Sequence, residues 1–166
     1  MNEDVKFIKK HRSKSALIDT SLLLVYVIGK CDQKMLSSFA HTKQYQHDFP
    51  LIERLVELFS TIHTTPNILT ELSNLGGKLK QEQFYTMLRT FTSVWHESYY
   101  RSSTAAGDMH FTRLGLTDSA ILHFAAAEDL LVVTDDLQLY LALRSRNLDA
   151  VNVNHLRPYA WQEFIK

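Results

Sequence analysis

One cysteine, Cys31, cannot form an intrachain disulfide, and three prolines and five glycines in 166 residues leave little material for disordered or repetitive tracts. No internal repeat is visible. Charge of one sign is missing too: 18 basic residues face 18 acidic ones, so the overall balance carries no signature of a nucleic-acid binder. The longest early apolar run, Leu22 to Ile28, is far too short to span a bilayer. The basic start, "MNEDVKFIKKHRSKS", has no apolar stretch before Ala16 and does not read as a signal peptide. Eight histidines show no zinc-type spacing and have no second cysteine to join them, which argues against a zinc site. The lone thiol fits a reducing, cytoplasmic setting.

Hydrophobic residues make up 45% of the chain and charged residues 22%, enough for one domain with a real core. Residues 1–15 read as a basic, flexible N-terminal segment and 16–166 as a single domain. "ALID" (16–19) reads as a buried strand, followed by a helix through "SLLLVYVIG" that Gly29 closes. Residues 30–50 are polar and mixed, a loop with a short helix. "PLIERLVELF" (50–59) has helical periodicity, and "TIHTT" (61–65) is β-branched like a strand. Thr65 and Pro66 open a further helix that Gly76-Gly77 stops. Phe84, Leu88, Phe91, Trp95 and Tyr99 recur at helical spacing over 81–100, a stripe that reads as packing, within the core or across a dimer, more readily than as a base-stacking surface. Residues 101–110 look like a loop. A helix over 116–129 with Thr117 as its cap, a strand "LLVVT", a helix over 137–147 and a strand over 150–156 complete the chain. Strands alternating with helices predict an α/β fold with a mainly parallel sheet between helical layers.

In such a sheet, sites form at the carboxyl ends of the strands. Asp19 ends the first strand, and Asp135 and Asp136 end "LLVVT". Asp118 opens the helix before that strand, and Glu71 lies in the second turn of the helix begun by Pro66. Each acid alone has an ordinary reading as a cap, a helix-dipole partner or a solvated charge. Those readings leave the joint pattern of acids, strand ends and order along the chain unaccounted for.

That joint pattern, carried by "LIDTSLLL" (17–24), "TPNILTEL" (65–72), "LTDSAILHFAAA" (116–127) and "LLVVTDDLQLY" (130–140), resembles the PIN-domain nucleases, including toxins of the VapC type. The trailing "AVNVNHLRP" (150–158) looks like the family's last strand. The resemblance implies a three-layer α/β/α sandwich. It also implies that Asp19, Glu71, Asp118 and Asp136 form an acidic quartet binding Mg²⁺ or Mn²⁺, with Thr134 as the hydroxyl residue two before the last acid. It further implies an RNA substrate and, if the chain is a toxin, an antitoxin protein partner. With the aromatic stripe free to pack across a dimer and no long apolar run, a homodimer or higher oligomer without membrane association is expected. The polar stretch 30–50 and the aromatic segment 81–100 depart from the family's shortest members.

Crowded carboxylates repel, and hard divalent ions relieve that repulsion while activating water against a phosphodiester. The expected activity is metal-dependent endoribonuclease cleavage; the alternative is a PIN-like scaffold that binds RNA or protein without cutting. Asn67, one turn before Glu71, Ser21 and Asp135 are candidates to touch substrate or support the acids. Of the adjacent pair, Asp136 is expected to face the metal beside Thr134, because side chains two apart on an extended segment share a side. Asp135 is expected to be peripheral, capping the next helix or approaching a second metal. A response-regulator receiver is disfavoured because Thr20 and Ser21 follow Asp19 where an acidic pair is needed. A haloacid-dehalogenase phosphatase fails because Ser21 stands where a second aspartate belongs.

Overall fold

The computed structural model describes residues 2–159. Helix α1 (Glu3–His11) leads into strand β1 (Ser15–Ile18), and α2 (Thr20–Cys31) follows directly. Helix α3 (Lys34–Ser38) and a single 3₁₀ turn, Lys43–Tyr45, occupy the polar stretch before α4 (Phe49–Glu57). Then come β2 (Thr61–Thr64), α5 (Pro66–Gly77), α6 (Glu82–Thr92), β3 (His96–Glu97), α7 (Ser102–Ala106) and α8 (Phe111–Ala127). The described chain closes with β4 (Leu131–Thr134), α9 (Leu137–Ser145), β5 (Ala150–Asn152) and α10 (Val153–Leu156).

The strands form one sheet in the order β3-β2-β1-β4-β5, parallel throughout. Helices cover both faces, giving a three-layer α/β/α sandwich. Right-handed crossovers require this, because the chain steps one way from β1 to β2 and β3, then the other way to β4 and β5. Helix α2 packs against α4, α5 and α6 in one layer, while α8 packs against α9 in the other. Every residue of β4 is buried, as are Ala16, Leu17 and Ile18 of β1. Burial on both faces is why these strands read as unbroken apolar runs rather than as alternating ones. No helix among the described residues is long and apolar enough to cross a membrane.

Several expectations are corrected. The N-terminal segment is not a loose arm: Asn2 caps α1 by accepting from the Asp4 N–H at 3.0 Å, and Val5 and Ile8 are buried. Asp4 is itself buried, accepting from the Asn152 N–H and the Tyr140 hydroxyl and meeting His155 Nδ1 at 2.9 Å. Gly29 does not end α2, which continues to Cys31. A Cβ at Gly29 would lie 2.0 Å from the Phe49 ring, so this glycine serves the close approach of α4. The aromatic segment is helical only to Thr92. Beyond it Trp95 folds back to stack on Phe91 at 5.2 Å, and His96–Glu97 become an edge strand on β2. Ser102–Ala106 is helical rather than loop. The last strand stops at Asn152, whose side chain caps α10 by accepting from the Asn154 N–H at 2.9 Å.

Candidate metal centre

Asp19 stands where β1 becomes α2. Its backbone N–H donates to the Val133 carbonyl at 2.9 Å, which ties it to the neighbouring β4. Its Oδ1 accepts from the Thr20 N–H at 2.6 Å, and its Oδ2 accepts from the Thr134 hydroxyl at 2.6 Å. Thr134 is wholly buried at the end of β4, and its hydroxyl oxygen also accepts from the Asp136 N–H at 2.9 Å. One hydroxyl thus fixes the carboxylate of one strand end and the backbone of the other.

Glu71 reaches the same place from α5. Its two oxygens accept from the hydroxyls of Thr20, at 3.2 Å, and Thr117, at 2.5 Å. Thr117 therefore turns toward Glu71 rather than acting as a helix cap. It can do so because α8 is broken at Gly115, whose φ of 80° lies in the left-handed region that glycine tolerates. The break sets the register of the following turn, which carries Asp118.

The adjacent aspartates divide differently from the sequence-based expectation. Asp136, not Asp135, is the N-cap of α9: its Oδ1 accepts from the backbone N–H groups of Gln138 and Leu139 at 2.6 and 3.0 Å. Asp135 is not peripheral. It lines the cavity, its carboxylate accepts from the hydroxyls of Ser21 and Tyr45, and its carbonyl accepts from Asn154 Nδ2 at 3.2 Å. Alternation along a strand stops applying once the chain turns into a cap, and the turn comes at Asp136.

Asp19, Glu71, Asp118, Asp135 and Asp136 all line one open cavity of about 640 Å³. Ser21, His41, Gln44 and Tyr45 contribute to its wall. The 30–50 stretch thereby borders the acids, a role no motif in it announces. Asn67 does not reach the wall. Neither lysine nor arginine lines the cavity among the described residues.

Burial pushes the Asp118 carboxyl up to about 8, and repulsion from Asp19, Asp136, Glu71 and Asp135 adds to it. Burial likewise raises Asp19 to about 6, against the opposing hydrogen bond from Thr134 and with help from the charges of Asp135 and Asp136. The Tyr45 hydroxyl is held well above its ordinary value by burial and by Asp135. Asp118 thus senses the four other acids across the cavity, and Asp19 senses the adjacent pair. No three of these acids have oxygens within 4.8 Å of one another among the described residues. The donor set is all oxygen, with Asp19 and Glu71 held by outer hydroxyls.

Compared with known proteins, the chain matches no family model and no curated sequence.

Proposed function

We propose that the chain is a Mg²⁺- or Mn²⁺-dependent endoribonuclease of the PIN type. The observation that carries this reading is the convergence of Asp19, Glu71, Asp118 and Asp136, delivered by four different elements, on one cavity at the carboxyl edge of a parallel sheet. The donor chemistry fits the ion: hard, all-oxygen ligands suit Mg²⁺ and Mn²⁺. Asp19, Asp118 and Asp136 would hold it, and Glu71 would complete the set or orient water. A divalent ion bound there would lower the pKa of a water so that its hydroxide form could attack phosphorus, and would offset charge on the departing oxygen. The protein's own part is to fix the donors. Thr134 holds Asp19, Thr20 and Thr117 hold Glu71, and the cap of α9 holds Asp136 by one oxygen. An antitoxin partner and self-association belong to the same reading through its resemblance to VapC-type toxins.

A non-cleaving scaffold is the second reading, favoured by the lack of lysine and arginine along the described cavity wall. Incubation of the purified chain with a panel of single-stranded and structured RNAs separates the two. Cleavage is expected with Mg²⁺ or Mn²⁺, to stop with chelator and to be lost in Asp19→Asn. RNA bound but uncut in every condition supports the scaffold, and cleavage unchanged by chelator overturns the metal mechanism.

A further inference from the structure

We propose that His41 is the proton donor to the departing oxygen, a role that rests on the nuclease reading above and supplies a step its acids leave open. In hydrolysis of a phosphodiester, a water oxygen bonds to phosphorus and a phosphorus–oxygen bond to ribose breaks. The electron pair of the broken bond stays on the departing ribose oxygen, which takes up a proton and leaves as a hydroxyl. The imidazole gives that proton and regains one from solvent.

The cavity wall offers few other donors among the described residues. Asp19, Glu71, Asp118 and Asp136 are the proposed ion ligands, and a carboxylate that ligates a metal has already lost its proton. The hydroxyls of Thr20 and Ser21 donate to Glu71 and Asp135. The Tyr45 hydroxyl also donates to Asp135, and burial together with that carboxylate makes it a poorer acid than an ordinary phenol. Asp135 is thus engaged as an acceptor of two hydroxyls. Gln44 and Gln138 end in neutral amides, which do not titrate. His41 remains. An imidazole exchanges its proton near neutral pH and is the side chain most often used for such transfers. It is also the one side chain of this wall, among the described residues, that can bring a positive charge to a phosphate.

The fold fixes where His41 stands. The next residue, Thr42, is wholly buried, and its hydroxyl donates to the Leu36 carbonyl at 3.1 Å. Tyr45 is buried and tied to Asp135, and Asp48 accepts from Arg157 Nη2 at 2.7 Å. On the other side Phe39 packs against the core, and its ring meets the His41 ring edge-on at 5.1 Å. Between these anchors His41 itself is exposed, so its ring exchanges protons with solvent between turnovers.

The test starts from an RNA that the chain cuts in Mn²⁺, whose products show which ribose oxygen departs. The same RNA is then made with sulfur in place of that one bridging oxygen. A thiolate leaves without being protonated, so the sulfur substrate bypasses a proton donor. His41→Gln is expected to cut the oxygen substrate about a hundredfold more slowly than the parent, and the sulfur substrate at a rate within about threefold of it. The variant should also keep the parent's Mn²⁺-induced rise in melting temperature, a readout independent of cleavage. An unchanged rate on the oxygen substrate, or an equal loss on both substrates, overturns the proposal and leaves the metal reading standing. A lost melting shift overturns it as well, because His41 then belongs among the ligands. A parent chain that cuts no RNA overturns this proposal and the nuclease reading together.

Discussion

Asp136 commits one carboxylate oxygen to the N–H groups that open α9, which leaves the other oxygen for the cavity. An asparagine keeps an acceptor oxygen for the cap but loses the charge. Asp136→Asn is therefore expected to lose most metal-dependent cleavage while retaining its melting temperature, whereas Asp136→Ala should also lose about 1 kcal/mol of stability. Asp135, held by two hydroxyls, should tolerate Asn with much of the cleavage intact; measured rates in the reverse order would reassign the pair. Protonation gives a second handle. Asp118 and Asp19 titrate near 8 and 6 in the folded protein, above the ordinary 3.8, so the folded state retains protons that the unfolded chain releases. Stability of the metal-free protein should thus fall as pH rises from about 4 to about 8. Thermal melts in chelator should show this decline, flattened in its upper part by Asp118→Asn. The acids themselves are legible in the sequence because each follows or precedes an apolar run. The grip of Tyr45 on Asp135 is not, since it depends on where the polar 30–50 stretch folds back, and no periodicity encodes that.

Elements were legible in proportion to their burial. Strands β1 and β4 are apolar runs covered on both faces, and Thr65 caps α5 as its position suggests, accepting from the Ile68 N–H at 3.3 Å. Strand β3 is two exposed residues at a sheet edge, with no pattern of its own, and the aromatic spacing around it is helical until Trp95 turns back on Phe91. Helix α1 is hidden by its lysines, although Val5 and Ile8 lie on its buried side. Ile8→Ala is expected to cost about 2–5 kcal/mol in chemical denaturation, as for a core position; a solvated arm would lose nothing. The α2–α4 contact makes a similar claim. Gly29→Ala should destabilise by about 1–3 kcal/mol through overpacking against the Phe49 ring, and adding Phe49→Leu should recover part of the loss.

Across the whole molecule, the proposed ion binding would be linked to folding through the cavity. If the ion binds only the folded chain, tenfold excess over its dissociation constant adds about 1.4 kcal/mol, a melting shift of roughly 3–6 °C for a chain of this size. The shift should vanish in the Asp19→Asn, Asp118→Asn double variant, which should itself melt higher than the metal-free parent because a source of repulsion is gone. A full shift in that variant would place the stabilising ion elsewhere. The sheet order has a consequence for synthesis. β1 is central, yet its partner on one side is β4, made long after it, and β5 pairs only with β4. While the chain emerges, β1 and β2 can pair early, but the other edge of β1 stays open until β4 has been translated, so nascent chains need protection against edge-to-edge association. Asp136 arrives just after β4. A chain halted before β4 therefore lacks both the second neighbour of β1 and the full set of acids, so the proposed cleavage could begin only once the sheet is complete.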